Sequence, residues 1–575
     1  MRKTLGLFAV MAVLAGCTAP DTVRDYDRPS SPSATESTPL ASAAPYTAIA
    51  LRDVPGYQPT LAGDGGWISG ELVDGGGNYS WHTESATGEY QPAEFAEIVF
   101  QRASEYAQIP GVLTFRGNNY RNAPTYGTAD IKEKKLEIVW TQEIGEVRGD
   151  GSYWPGAGWT GQPLLVNWPE ATRRAMGFAD EFANKDLVEV IYPVFEGKVY
   201  RLDLETGKQT KDPIDAGCGF KGTGSIDPRG YPLLYAGQGL NDMDDDETTD
   251  DCPFRYRIFD LIQNVEVSGW EGTDPAAPRT EPEGWGAFDS SALVNAAADT
   301  LIEPGENGLI YRVKLNSEFD GKRVSVNPEL TRLEYRTPSS EEFGIESSAV
   351  AWKNLMWASD NDGNLLCWDA QTMTVLWVLD VGDDSDASIV LEDTPDGPML
   401  YHGNTLDKRG KAETAPDGVP DLTTNLRKID GLTGEIVWQY DVPTQADYPN
   451  NGGELATPLL GTGEISDLVI YNVSKTTSTR EGDLIALDKE TGKLVWRRHL
   501  GRYSWSSPVA ITGDDGHQYG ILCDSGGIMH LFDPNTGYDL DAISLGRNIE
   551  ASPAVYQNMI VVASYAKQIF GIRVS

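Results

Sequence analysis

The sequence predicts an all-β chain folded as an eight-bladed β-propeller of four-stranded blades, and three observations carry that prediction. One phrase recurs at a near-constant period, a second short element recurs between its copies, and a lone strand far upstream supplies what the last copy lacks. The composition agrees: 61 glycines and 15 tryptophans in 575 residues suit many short strands joined by tight turns.

The phrase is Asp-x-x-Thr-Gly after a short apolar run, as in "GKVYRLDLETGK", "RKIDGLTGEIVW" and "EGDLIALDKETGKLVWRRHLG". Its landmarks are Asp203, Asp430, Asp488 and Asp533, with Asp369 in the variant "DAQTM" and weaker copies at Asp260 and Asn316. Successive landmarks lie 57, 56, 53, 61, 58 and 45 residues apart. A period of roughly 40–60 residues holding four short strands is that of a propeller blade. The phrase reads as the hairpin between the third and fourth strands, with Asp and Thr bonding turn amides and Gly supplying positive φ. Trp377, Trp438 and Trp496 follow it at the start of the fourth strand, where an aromatic can pack between blades; Lys211 and Asp541 take that place in two copies.

The second element marks the first strand of each blade. It appears as "WTGQPLLV" (159–166), "GTGSIDP" (222–228), "DSSALVN" (289–295), "ESSAVAW" (346–352), "DASIVLE" (386–392), "ELATPLLG" (454–461), "WSSPVAI" (505–511) and "EASPAVY" (550–556), hence eight blades. The last copy stops after three strands. "LEIVWTQEIG" at 136–145 matches "GKLVWRRHLG" at 492–501 and is predicted to complete that blade, closing the ring and removing exposed sheet edges. The propeller is therefore expected over 131–575.

Upstream, Arg2 and Lys3 precede an apolar run from Leu5 to Ala15, too short to span a bilayer, which ends in Leu14-Ala15-Gly16-Cys17. The pattern resembles a bacterial lipobox and makes 1–17 a lipoprotein signal peptide with Cys17 the lipidated residue. Residues 18–45, rich in Ser, Thr, Pro and Ala, read as a disordered tether. Residues 46–130 read as a strap packed on the ring. The strap carries a short helix over 92–107, from Phe95, Ile98, Val99 and Tyr106, followed by "GVLTFRGNNYRNAPTYG".

The net charge of −40 opposes nucleic acid as a partner and any polybasic docking to anionic lipid, leaving the lipid anchor as the only membrane contact. Cationic partners and metal ions stay open. Cys218 and Cys252 bracket one acidic insertion and form a candidate disulfide, while Cys367 and Cys523 sit in apolar strands as buried thiols.

Over roughly 136–575 the repeated phrase resembles the PQQ-like β-propeller repeat, named after the pyrroloquinoline quinone-dependent alcohol dehydrogenases. With "LRKIDGLTGEIVW", "RYSWSSPVAI" and "EASPAVY", the chain resembles the uncharacterised PQQ-like propeller lipoproteins of bacterial envelopes. The propeller lipoprotein of the outer-membrane barrel assembly machinery shares ring and anchor but is much shorter. The resemblance implies a ring, not quinone chemistry. The dehydrogenases press the quinone between a disulfide of adjacent cysteines and a tryptophan, with calcium beside it and an aspartate as base. No two cysteines are adjacent here, so pyrroloquinoline quinone is not expected as a cofactor.

Aligned on the first-strand element, Asp289, Glu346, Asp386, Trp505 and Glu550 share one position, and Glu454 lies one residue earlier in its own copy. First strands line the axis of a propeller, so these residues form a candidate axial cation or ligand site; calcium is the cation that hard oxygen donors would take. Alternatively each carboxylate accepts backbone bonds from the next blade. The acidic run 241–251 lacks EF-hand spacing and reads as a solvated loop, and so does 402–422. His82, His402, His499, His517 and His530 show no metal-ligand spacing, and no Gly-x-Ser-x-Gly elbow or phosphate-cradling loop appears. No catalytic residue is assigned.

The function this implies is binding or scaffolding, by a membrane-anchored extracytoplasmic ring whose loop face meets a protein, a peptide or a cell-wall saccharide. Insertions at 167–186, 241–251 and 402–422 are the expected specificity elements. Alternatives are a quinone- and calcium-dependent dehydrogenase or cofactor-binding sensor with an axial site, and an envelope protein assembly factor.

Overall fold

The computed structural model describes residues 46–49, 97–148, 153–158, 161–241, 252–277, 285–336, 344–410, 415, 418–446 and 451–575, together with the backbone of strands at 21–22, 60–62, 67–71 and 78–83. The signal peptide with Cys17, most of the tether, Phe95 and the acidic run 242–251 lie outside the described residues.

Eight four-stranded antiparallel blades follow one another in chain order. Their inner strands are Leu164–Asn167, Ser225–Ile226, Leu293–Asn295, Val350–Trp352, Val390–Thr394, Leu459–Leu460, Val509–Thr512 and Ala554–Tyr556, each at one of the elements read from the sequence. Blade 8 is completed by Leu136–Glu143, which pairs antiparallel with Gln568–Val574 and closes the ring. Antiparallel strands reverse at every connection. The hairpins joining strands one to two and three to four therefore share a lower face; those joining two to three, and the links between blades, share the upper face.

The repeated turn is a docking device. Asp488 Oδ1 accepts the Thr491 amide and hydroxyl, and Gly492 adopts φ +67°. A Cβ on Gly492 would stand 2.7 Å from the ring of Trp438 in the preceding blade, whose Nε1 donates to the Lys489 carbonyl at 2.9 Å. Trp140 meets Gly207 and Leu204, and Trp496 meets Gly537 and Pro534, in the same way. The glycine is required twice, by its φ and by the tryptophan against it. At the junction of blades 4 and 5 the donor is Trp357, bonded to the Gly431 carbonyl at 3.0 Å, rather than Trp377.

The first-strand element works as a girdle. In six blades one amide of this element donates to the side-chain hydroxyl at the equivalent place one blade on: Gln162 to Thr223, Ser291 to Ser348, Ser348 to Ser388, Ser388 to Thr457, Thr457 to Ser507 and Ser507 to Ser552.

The strap does more than pack on the ring. Residues 111–129 enter the axis and meet the inner strand of every blade. Gly111–Val112 pairs with blade 1, Leu113 O accepts from Ile226 of blade 2, and the Thr114 hydroxyl donates to Ala292 O of blade 3. Asn119 O and Tyr120 O accept from Ala351 of blade 4 and Leu391 of blade 5. Arg116 donates to Pro458 O of blade 6 at 3.1 Å and Pro508 O of blade 7 at 3.0 Å, and Thr125–Tyr126 runs parallel to blade 8. Arg121 is fully buried and donates to the carbonyls of Phe115, Ser291 and Ala349 and to Thr114 Oγ1.

Two expectations are corrected. The described part of the helix expected over 92–107 is extended chain with one 3-10 turn, Ala103–Glu105. Ile98, Phe100 and Tyr106 bury into the core between blades 3 and 4, and Phe100 donates its amide to Lys353 O, so tertiary pairing takes the backbone a helix needs. The three insertions do not share a face. The one at 167–186, with helices Glu170–Met176 and Asp180–Ala183, joins strands one and two of blade 1 and lies on the lower face. The described part of 402–422 joins strands two and three of blade 5 and belongs to the upper face, while 242–251 lies outside the described residues. Upstream, strands Thr60–Ala62, Trp67–Glu71 and Asn78–Thr83 extend the outer edge of blade 3, and Asp21–Thr22 pairs along the outer strand of blade 6.

Arg121→Ala leaves three buried carbonyls without their donor and should lower unfolding stability by about 3–5 kcal/mol. Arg121→Lys should restore only part, because an ammonium cannot serve all three from one fork. Urea unfolding of the full chain measures both.

Candidate acidic site on the axis

The girdle sets the height of the site. Two residues before each hydroxyl, at the upper end of the inner strands, stand Lys221, Asp289, Glu346 and Asp386 from blades 2 to 5. Lys221 Nζ lies 2.5 Å from Asp289 Oδ2, and both are almost wholly buried. Asp289, Glu346 and Glu306, the last from the upper hairpin of blade 3, offer carboxylate oxygens within 4.8 Å of one another. Glu306 Oε2 accepts from Trp285 Nε1 at 2.8 Å, and Glu346 Oε1 from Asn361 Nδ2 at 3.2 Å. The other oxygen of Glu346, and Oδ2 of Asp386, are buried without a hydrogen-bond partner.

Burial and mutual repulsion dominate the electrostatics. Burial, then Glu306, pushes the Glu346 carboxyl well above the usual carboxylate range. Burial, then Asp407, pushes Asp386 up to about 7, and Asp384 beside it is raised by burial and by Asp386. Asp289 is raised by burial despite its lysine. For Lys221 burial opposes the charge, but Asp289, Glu306 and Glu346 outweigh it and hold the ammonium protonated. One buried cation thus faces a set of carboxyls that cannot all ionise together.

The start of the 402–422 insertion folds over this rim. Asp383 accepts the amides of Asp407, Lys408 and Arg409, and Lys408 Nζ reaches Asp362 Oδ1 at 2.7 Å.

The six residues expected to converge do not all do so. Asp289, Glu346 and Asp386 meet. Glu454 is buried against Gly403, with both oxygens lacking a hydrogen-bond partner, outside the group. Glu550 is bonded to Asn548 at 2.7 Å and to the Tyr565 hydroxyl at 2.5 Å, and Trp505 is buried in blade 7. The ring position is shared, but a register shift of one residue in blade 6 turns Glu454 away and puts Leu455 there. Lys221 and Glu306 were not singled out from the sequence. Lys221 was within reach, since "KGTGS" places it at the carboxylate position of blade 2; Glu306 sits on another strand connection and carries no local signal.

Three oxygen donors at this spacing fit a hard cation such as calcium. A quinone fits poorly. Cys218 and Cys252 form a disulfide with Cα atoms 5.7 Å apart, but both are buried, with Cys252 Sγ against Gly217 O and Gln238 Nε2. Neither this disulfide nor Trp505, which is also buried, presents an open face to a flat ring.

The eight-bladed ring, with its Asp-x-x-Thr-Gly turns and the tryptophan docks at three blade junctions, is a β-propeller of PQQ-like repeats. The family described as outer membrane protein assembly factor BamB matches residues 312–501 and 423–574, a little under half of the chain. The dehydrogenase subunit of the quinone alcohol dehydrogenase of Acetobacter aceti is 29% identical over 155 residues, 23% of this chain and 19% of that protein. The same subunit from Gluconacetobacter polyoxogenes is 29% identical over 140 residues, 21% and 18% of the two. The chain thus spans about a fifth of the length of these curated relatives. Among solved structures, BamB from Moraxella catarrhalis superposes with a TM-score of 0.47 at 14% identity, covering 76% of this chain and all of that one. The quinohemoprotein alcohol dehydrogenase of Comamonas testosteroni gives 0.45 at 11% identity, covering 82% and 81%.

A carboxyl with a raised folded-state pKa binds more protons folded than unfolded. Its stabilising contribution is full below pH about 4 and is lost as pH rises toward about 7. The full chain should therefore melt lower at pH 8 than at pH 5.5, and Asp386→Asn should flatten that dependence, on the order of a few kcal/mol, in a thermal unfolding series.

Proposed function

We propose that this protein is a lipid-anchored, extracytoplasmic binding or scaffold propeller, held to the bacterial cell membrane, or an outer membrane if one exists, through Cys17. Its upper-face loops meet the partner, which is a protein, a peptide or a cell-wall saccharide. The observation that carries the reading is the axial segment 111–129, which satisfies the inner strands of all eight blades with the chain's own groups and turns the ring into a closed platform. The partial match to the BamB family supports an envelope location and keeps assembly of envelope proteins among the roles such a platform serves. The partial similarity to quinone-dependent dehydrogenases supports the repeat, while the buried disulfide and tryptophan weigh against a working dehydrogenase.

Cys17→Ser should move the protein from the membrane to the soluble fraction. Full chain supplied with calcium and pyrroloquinoline quinone should oxidise no primary alcohol above background in a dye-coupled assay. Turnover there would replace this reading with the dehydrogenase.

A second reading, a structural cation site, is favoured by the oxygens of Asp289, Glu306 and Glu346 lying within 4.8 Å of one another. Calcium at a hundredfold excess over its dissociation constant would stabilise the fold by about 2.7 kcal/mol. A thermal shift with calcium at pH 8, lost in Glu346→Gln, supports the site; an equal shift in the variant, or none in either, removes it.

A further inference from the structure

On the upper face, between blades 7 and 8, a cleft of about 410 Å³ runs against the charge of the whole protein. The chain carries 46 lysines and arginines against 86 acids, yet among the described residues this cleft gathers Arg148, Arg547 and Lys567 around one acid, Glu146. Three upper-face connections build it: the hairpin Glu146–Arg148/Tyr153–Pro155 after the closing strand, the link holding Gly546 and Arg547, and the hairpin Ser564–Lys567 of blade 8.

The cleft displays how it holds a carboxylate. Glu146 Oε2 receives Lys567 Nζ at 2.9 Å and the Tyr153 hydroxyl at 2.9 Å, while Oε1 receives Arg148 Nη2 at 2.9 Å. Arg547 is exposed and makes no side-chain hydrogen bond or ion pair among the described residues. Its free guanidinium, beside a donor set already ordered on one carboxylate, suits a second.

The aromatic groups narrow the ligand. The Arg148 guanidinium covers the Tyr153 ring at 4.3 Å. The Tyr565 hydroxyl is committed to Glu550 and its ring meets Phe195 edge-on at 6.2 Å. Tyr153 is exposed and keeps one face against Arg148, so what the cleft mainly offers is charge. The volume suits a few side chains rather than a folded surface.

We infer that the cleft of Arg148, Arg547 and Lys567 is a docking site for a carboxylate-bearing peptide segment of a partner protein. The inference rests on the binding-protein reading and names the chemistry of one partner contact. At physiological salt the Debye length is about 8 Å, so the global negative charge is largely screened and short-range pairing decides binding.

The test is fluorescence anisotropy of fluorescein-labelled hexaglutamate titrated with the full chain, at low and high salt. Binding that weakens with salt, is reduced about tenfold by Arg547→Ala (about 1.4 kcal/mol) and is abolished by Arg547→Glu supports the site. Lys567→Ala, also on an exposed residue, should weaken it too. Thermal unfolding should be unchanged by Arg547→Ala. No binding, or binding indifferent to Arg547, overturns the inference. So does displacement of the peptide by inorganic phosphate or oligogalacturonate at lower concentration than by glutarate, which would assign the cleft to phosphate or to acidic saccharide. Failure here leaves the platform reading intact, because that reading is tested separately by Cys17→Ser and by alcohol turnover.

Discussion

Eight blades set around an axis present eight inner strand edges to one another, and every amide and carbonyl on those edges needs a partner. An unpaired buried backbone group costs about as much as a lost hydrogen bond. This constraint organises the molecule. The hydroxyl girdle satisfies one amide in six of the eight blades, and the segment 111–129 meets the inner strands of all eight. Arg116 and Arg121 suit the task because each guanidinium carries five donors in a rigid fork and can reach carbonyls of several blades at once. Gly117 lets the segment turn, at φ +82° with the Ala123 carbonyl where a Cβ would stand.

The outer half of each junction is handled by different means. At three junctions a tryptophan from one blade lies on the turn glycine of the next, and its indole donates to a turn carbonyl, so the contact is apolar and directional together. Repetition of this contact lets each blade be specified locally. Closure by Leu136–Glu143, which pairs with Gln568–Val574 as the outer strand of blade 8, then converts a row of blades into a ring.

Function has to come from what is not repeated. At one ring position blades 2 to 5 carry Lys, Asp, Glu and Asp, while blade 7 carries tryptophan and blade 8 a glutamate bonded to its own hairpin. The upper face is therefore electrically uneven: an acidic, buried centre on one side and a basic cleft at blades 7 and 8 on the other. The lower face carries the repeated turns, the helices after the first strand of blade 1, and the entry of the strap at Tyr46, whose hydroxyl meets that of Tyr120 at 2.6 Å.

Strand count, blade order, closure and the place of the turns were legible in the sequence because each rests on a pattern a few residues long, set by alternation, turn chemistry or a repeated Trp-Gly pair. The alignment of first strands also brought Asp289, Glu346 and Asp386 to one height, since equivalent positions in a ring are equivalent in space. Tertiary structure alone decided the rest. Which carboxylates meet depends on a one-residue register shift at Glu454 and on Glu306 arriving from another hairpin. The strap's entry into the axis, the lost helix at 97–107 and the faces of the insertions depend on partners hundreds of residues away, where no local period reports them. Local hydrogen bonding wrote the blades; non-local satisfaction of their inner edges decided what stands at the centre.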